Sequence, residues 1–164
     1  MLFLFVLVAA YAALWPLTRG RLTVRSRARV ALAAGMVVAG AAHLVTPTPF
    51  VQHLPEIVPL REAIVFASGL VEIAFGFALV GPARWRPLIG LLLAGYLVAV
   101  FPGNVYVAVA GVDVEGQPGG IYSWLRLPLQ AVFVWLAIAT TGAMSALPTR
   151  FVPDRLRQLD GLPS

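Results

Sequence analysis

Five apolar runs separated by short polar links constrain this chain more than any other feature of its sequence. The runs cover residues 1–17, 30–46, 63–81, 88–111 and 127–147. A helix needs about 20 apolar residues to cross the hydrocarbon core of a bilayer, so the last three runs are long enough and the first two need neighbouring residues to extend them. The links are rich in Pro, Gly and charge, and none is long enough to hold a soluble domain. We therefore predict an all-α fold, a polytopic membrane helical bundle with five crossings.

Composition agrees with a membrane protein and excludes several chemistries. Hydrophobic residues make up 60% of the chain and charged residues 12%, against about 45–50% and about 25% in soluble domains. All basic residues are Arg, and they cluster at the ends of the apolar runs instead of lining a groove. The expected partner is thus the lipid bilayer and not a nucleic acid. The absence of Cys excludes disulfides and thiolate metal ligands within this chain.

The distribution of the arginines predicts the orientation. The second and fourth links carry only Arg61 and Arg126, whereas the other ten arginines lie in the first link, the third link and the C-terminal tail. By the positive-inside rule, the N-terminus is outside and the C-terminus is cytoplasmic. Positive charge follows the first apolar run instead of preceding it, which disfavours a cleaved signal peptide.

Polar side chains lie within four of the predicted helices, in the outer half of the bilayer. An ionisable group at the depth of Glu72 costs about 2.5–3.5 kcal/mol on insertion scales, so we expect it to face the interior, to be paired or to be protonated. Small residues four positions away, such as Gly76, allow neighbouring helices to approach closely. The predicted ligand-binding residues are His43, Ser68, Glu72, Asn104, Tyr106, Arg126 and Gln130.

These residues predict one shared pocket. We expect Phe66, Phe101, Tyr106 and Phe133 to wall it, and at least two of the four shallower groups His43, Asn104, Arg126 and Gln130 to lie within direct or one-water reach of Glu72. For Arg126 we favour an inward pair with a carboxylate over contact with lipid headgroups. His53 is predicted to be a bystander in a wet loop. Two histidines without Cys or a close carboxylate motif do not indicate a metal site.

Pro102, Gly103 and Asn104 interrupt the fourth apolar run. Pro102 removes a backbone donor and crowds the carbonyl of Val98, so we predict that the helix kinks or unwinds there. Asn104 either satisfies the freed backbone or contacts a ligand. Both roles place a buried polar spot beside this segment.

Six short segments follow one another in a specific order. They are "HLVTPTPF" from His43, "LP" at 54–55, "SGLVE" from Ser68, "GPAR" from Gly81, "VFPGNVY" from Val100 and "RLPLQ" from Arg126. In order and spacing they resemble the DoxX family of small bacterial integral membrane proteins, over residues 29–140. The chain differs from that family in Gly103, where Ala is usual, in an added apolar segment at 1–17, and in lacking the cysteines of some redox-linked relatives.

The resemblance implies a DoxX-like four-helix core, with residues 1–17 as one additional N-terminal transmembrane helix. The predicted organisation is an N-terminal helix and basic cytoplasmic loop (1–28), the core (29–147) and a short cytoplasmic tail (148–164), in a bacterial cytoplasmic (inner) membrane. In some members, the resemblance also implies association with quinone-linked membrane oxidoreductases or with maturation of other proteins. Quinone is therefore the cofactor to consider, and a membrane oxidoreductase the protein partner.

Four classes of function remain open. The first is a subunit that binds a quinone or another lipid with a polar head, and the second is a membrane assembly factor whose polar core is structural. The third is an enzyme on a lipid-soluble substrate, with His43 and Glu72 as candidate catalytic acid and base. The fourth, a proton-coupled transporter, has no internal repeat to support it. The first two are favoured, and the sequence does not name a catalytic residue or an oligomeric state.

Overall fold

A computed structural model describes residues 2–18 and 21–146, and their regular secondary structure is helical throughout. The α-helices are α1 (Leu2–Leu17), α2 (Val24–Val45), α3 (Thr48–Val51), α4 (Arg61–Val80), α5 (Arg86–Ala110) and α6 (Ile121–Thr141), with 3₁₀ turns at Ala83–Trp85 and Ala143–Ala146. The predicted tail, with Arg150, Arg155 and Arg157, lies outside the described residues, as does Arg19.

Four of the described helices, α2, α4, α5 and α6, are long and apolar enough to cross a membrane. The all-helical prediction is confirmed at this level, and a membrane bundle is compatible with it. Helix α1 has 16 residues, or about 24 Å at 1.5 Å per residue, which is shorter than a hydrocarbon core of about 30 Å. The fifth crossing therefore depends on α1 and stays a prediction.

Helix α2 begins earlier than its apolar run predicts. The side chain of Thr23 accepts a hydrogen bond from the backbone N–H of Ser26, which caps the helix and starts it at Val24. Arg27 and Arg29 consequently belong to α2 and are buried, instead of lying in a basic loop.

Helix α6 also begins earlier than predicted, at Ile121. Its first turns therefore contain Arg126, and it ends where Gly142 takes a left-handed conformation with φ 77°. Glycine adopts this conformation without steric cost, which makes it a common helix terminator.

Glycines bring α2 and α4 into close contact. A Cβ on Gly40 would lie 2.5 Å from the carbonyl oxygen of Gly69, and a Cβ on Gly76 would lie 2.9 Å from the carbonyl oxygen of Ala33. The pairs show that the two helices run antiparallel with almost no side-chain spacer between them. Buried side chains from four helices complete the core: Leu32, Ala33, Met36, Leu79, Leu93, Ala94, Leu97 and Ala137.

The alternation of helix direction gives the bundle two distinct ends. We call the end where α2 and α5 begin the arginine end, and the end where they finish the cavity end. Arg29 of α2 reaches the Thr140 carbonyl near the finish of α6, which places those segments together at the arginine end. Functional side chains at the two ends are therefore well separated.

Helix α5 continues through Pro102 without a break from Arg86 to Ala110. Of the two predicted outcomes, the unwinding is wrong, and the kink stays a prediction. The amide of Gln130 on α6 donates to the Leu97 carbonyl at 2.7 Å, one residue before the carbonyl that Pro102 leaves without its helical donor.

Candidate functional site

A cavity of about 570 Å³ lies within the bundle toward the cavity end. Its volume falls within the range of about 300–1,000 Å³ that is usual for small-molecule sites. Six of the seven predicted ligand-binding residues line it: His43, Ser68, Glu72, Asn104, Arg126 and Gln130. Leu4 of α1 also contributes to the lining, so the N-terminal helix forms part of the wall.

Glu72 is the most buried carboxylate of the described residues and faces the interior, with 9% of its surface exposed. The hydroxyl of Tyr96 donates to its Oε1 at 3.0 Å. Its Oε2 lies 3.3 Å from Nδ1 of His43. Even so, Oε2 has no hydrogen-bond partner among the described residues. Half of the carboxyl group is therefore satisfied, and the other half is buried without a donor.

The contacts of His43 explain why Oε2 of Glu72 has no hydrogen-bond donor. Its Nδ1 lies 2.8 Å from the carbonyl oxygen of Ala39, which only accepts, so the Nδ1 proton is directed to that backbone atom. The ring stacks on Phe50, with centroids 3.7 Å apart and planes inclined by 23°. The backbone bond and the stacking together fix the imidazole in one orientation beside the carboxyl group.

A second polar group joins α5 and α6. Asn104 Nδ2 donates to Gln130 Oε1 at 3.3 Å, and Gln130 Nε2 donates to the Leu97 carbonyl at 2.7 Å. This chain of hydrogen bonds stabilises α5 next to Pro102. The sequence prediction of a polar spot beside the proline is thus correct, although the helix does not unwind.

A third polar group lies at the cavity end. One guanidinium nitrogen of Arg126 donates to His53 Nε2 at 2.7 Å and to Gln117 Oε1 at 2.6 Å. Nδ1 of His53 lies 2.7 Å from the carbonyl of Pro49, so His53 is held from both sides. Burial, and secondarily the positive charge of Arg126, lowers the pKa of His53 to about 4, and the ring is neutral at neutral pH.

Two predictions about this group are wrong. His53 is not a bystander in a wet loop, because it lines the cavity and accepts a hydrogen bond from Arg126. Arg126 does point inward, but its partners are a neutral imidazole and an amide instead of a carboxylate. Gly103 contributes to the approach of this loop, since a Cβ there would lie 3.2 Å from the His53 carbonyl oxygen.

Three predicted residues do not line the cavity. Tyr106 and Phe101 lie on a separate apolar groove of about 480 Å³, and Phe66 is 56% exposed. Residues two positions apart on a helix point about 200° from each other, so Asn104 and Tyr106 face different sides of α5. Of the four predicted walls, Phe133 alone lines the cavity.

The predicted clustering around Glu72 is only partly present. Of the four shallower groups, His43 contacts Glu72 directly. Asn104, Gln130 and Arg126 direct their hydrogen bonds to other partners. The site therefore consists of three polar groups around one cavity instead of one network.

Sequence reasoning missed Tyr96, which provides the direct donor to Glu72. The sequence did contain a signal for Tyr96, because a tyrosine within an apolar run has a hydroxyl that needs a hydrogen-bond partner when it is buried. Within the described ranges, no set of three or more His, Asp or Glu side chains could hold a metal ion.

Comparison with known proteins gives one family. A family model described as a domain of unknown function (DUF8561) matches residues 32–141. The chain belongs to this family. The DUF8561 match covers α4, α5, α6 and most of α2, including all six predicted residues on the cavity, whereas α1 lies before it. No curated protein and no solved structure matches the chain.

Proposed function

We propose that this chain is an integral membrane protein that binds the polar head of a quinone, or of a similar lipid-like molecule, in the cavity between its helices. The observation that carries the proposal is the Oε2 atom of Glu72, which is buried on a 570 Å³ cavity without a hydrogen-bond partner among the described residues. An unsatisfied buried polar atom costs about 1–3 kcal/mol. A ligand that shares a proton with this oxygen recovers that cost.

The arrangement of polar groups favours a ligand whose head carries more than one polar atom. Glu72, with His43 and Tyr96, forms one polar side of the cavity, and Arg126 with Asn104 contributes others nearer the cavity end. The rest of the lining includes many apolar side chains, such as those of Val65, Leu97 and Phe133. This combination of a few oriented polar groups and apolar walls is typical of small-molecule sites.

A quinone head has a partner at Glu72 in both of its redox states. The hydroxyl of a reduced head donates to a carboxylate oxygen, and the carbonyl of an oxidised head accepts from a protonated carboxyl. The resemblance to DoxX proteins supports the same ligand class, because it implies a connection with quinone-linked membrane oxidoreductases. We propose such an oxidoreductase as the protein partner.

For orientation, we propose a bacterial inner membrane with the arginine end toward the cytoplasm and the cavity end outside. The asymmetry of the arginines supports this. Helix α1, if it crosses, places the N-terminus outside and gives five spans around a DoxX-like core of four. The link between α1 and α2 and the C-terminal tail share the cytoplasmic side in either case.

Two alternatives have their own support. The hydrogen bonds from Asn104 through Gln130 to Leu97 are complete within the protein, as expected of an assembly factor with a structural polar core. The 3.3 Å separation of His43 and Glu72 is within the reach of an acid and base pair, as expected of an enzyme on a lipid-soluble substrate. The unpartnered Glu72 oxygen favours ligand binding over the first alternative.

The test is direct binding. Purified protein in mild detergent is titrated with a short-chain benzoquinone and a short-chain naphthoquinone, and intrinsic tryptophan fluorescence is recorded. An isoprenoid alcohol of equal length serves as the control, because it has the apolar tail without the carbonyls. Saturable binding of a quinone but not of the alcohol supports the proposal, and equal responses to both overturn it.

A further inference from the structure

A second candidate site lies at the arginine end, away from the cavity. Arg29 of α2 is buried there with 9% of its surface exposed. One of its terminal nitrogens donates to the Thr140 carbonyl at 3.5 Å, a long hydrogen bond. Its Nε is buried and has no hydrogen-bond partner in residues 2–18 and 21–146. A guanidinium group in this position is held in place but incompletely paired.

A second arginine increases the positive charge at this place. Arg86, at the start of α5, donates from its Nε to the Gly81 carbonyl at 3.3 Å and lies near enough to Arg29 for the two charges to repel. The acidic residues of the described segments are Glu56, Glu62, Glu72, Asp113 and Glu115, all within the cavity-side links or helix α4. None of them forms an ion pair with Arg29 or Arg86. Burying an uncompensated charge is expensive, so an anion is expected to complete the site.

The local backbone adds to the attraction for an anion. Helix α5 begins at Arg86, and its N-cap residue Trp85 makes no side-chain capping bond. The N–H of Arg86 already donates to the Ala83 carbonyl and Pro87 has no N–H, so this helix start contributes through the positive end of its dipole and not through its first two N–H groups. The two guanidinium groups and this helix start converge at one end of the bundle.

We propose that this end binds a phosphate group supplied by an anionic membrane phospholipid. Guanidinium groups match the geometry of phosphate oxygens, and basic pockets between transmembrane helices bind such headgroups on the cytoplasmic side. Arg29 is the sixth residue of α2, close to the start of a helix that is long and apolar enough to cross a membrane. It is separated from His43 by about 21 Å along the helix, so the site is independent of the cavity and of the function proposed for it.

The experiment measures stabilisation by defined anions. The melting temperature of the full chain in neutral detergent is recorded with added phosphatidylglycerol, phosphatidylcholine or inorganic phosphate at matched concentrations. Native mass spectrometry of the same samples counts bound lipids. The variants are Arg29→Gln and Arg86→Gln, and the matched control is Arg84→Gln, which removes the same charge from an exposed side chain at the same end.

We expect phosphatidylglycerol to raise the melting temperature of the wild type and of Arg84→Gln, with one lipid retained, and phosphatidylcholine to have little effect. Each of Arg29→Gln and Arg86→Gln is expected to weaken lipid binding about five- to tenfold. If Arg29→Gln does not fold, the half-buried Arg86 carries the test. Equal weakening of lipid binding in all three variants overturns the proposal, because it indicates that the lipid responds to the overall positive charge of this end and not to a specific site.

Two further outcomes also overturn it. Equal stabilisation by inorganic phosphate assigns the site to free phosphate instead of a lipid. If the double variant Asp154→Asn/Asp160→Asn destabilises the protein and phosphatidylglycerol has no specific effect on the wild type, a carboxylate of the chain itself is the occupant.

Discussion

Nδ1 of His43 lies 2.8 Å from the carbonyl oxygen of Ala39 and 3.3 Å from Oε2 of Glu72. A ring nitrogen has one proton to donate, and the shorter contact is to the backbone. Glu72 is therefore positioned by His43 without being satisfied by it. The cavity lining therefore has a fixed carboxyl group with one buried oxygen that lacks a hydrogen-bond donor among the described residues.

Substitution of Glu72 separates the functional classes. Glu72→Gln keeps the shape and an acceptor for Tyr96 but removes the ionisable proton, so we expect it to fold and to bind quinone about tenfold more weakly. Glu72→Ala also removes the acceptor of the Tyr96 hydroxyl, and we expect a loss of about 1–3 kcal/mol in stability. Binding and thermal melting are measured on both variants.

The opposite result has a clear meaning. If Glu72→Gln binds ligand like the wild type while Glu72→Ala only lowers the melting temperature, the carboxyl group is structural. The assembly-factor alternative then replaces the proposed function.

The contact between α2 and α4 predicts that alanine substitutions at two glycines have different effects on stability. Gly40→Ala places a methyl group 2.5 Å from the Gly69 carbonyl oxygen, a backbone atom that cannot rotate away, so we expect destabilisation by about 1–3 kcal/mol. Gly95→Ala is the control, because a Cβ there meets nothing within 4 Å in a helix interior. We expect it to be neutral or to stabilise the protein by up to about 1 kcal/mol.

Thermal melting in detergent checks both variants. Equal melting temperatures for Gly40→Ala and Gly95→Ala would contradict the close packing of the two helices.

The sequence predicted the helical bundle well and the shared cavity in part. The apolar runs predict which segments are helical. The N-cap residues Thr23 and Gly120 determine where α2 and α6 start, so both helices begin earlier than their apolar runs. Six polar residues reach one cavity because small residues and antiparallel helices bring them together. Their pairing was not predictable, because the partners of Glu72 and Arg126, namely Tyr96 and His53, come from elements whose rotation about the bundle depends on packing.

The burial of His53, next to the positive charge of Arg126, predicts loss of stability in acid. The folded-state pKa of His53 is about 4, below its ordinary value of 6.5. Between these values the unfolded chain binds more protons, so the contribution of His53 is complete above pH 6.5 and is lost as the pH falls toward 4. We expect the melting temperature of the wild type to fall over this range.

His53→Gln is the matched variant, since its side-chain oxygen accepts from Arg126 without titrating. It should lose less stability than the wild type between pH 7.5 and pH 5. An identical fall in both proteins would show that other groups cause the acid sensitivity.

The proposed orientation predicts the location of reporters. Fusions after Ser164 or in the link at 18–23 should report the cytoplasm, and tags near Gln52 or Gly116 should react with impermeant reagents from outside. A tag before Met1 shows whether α1 crosses, because it is external only if it does. Cytoplasmic exposure of either cavity-end loop would reverse the orientation.

The central claim is that the cavity holds a lipid-like ligand, and mass spectrometry of small molecules that co-purify in mild detergent tests it most directly. The wild type is compared with Ala39→Phe, which adds a ring on the cavity lining, and with Ala74→Phe, which adds the same ring on the exposed side of α4. The account predicts one quinone or similar lipid per wild-type and Ala74→Phe chain, and its loss from folded Ala39→Phe. Absence of any such molecule from the wild type, or its equal retention in both variants, would contradict the account.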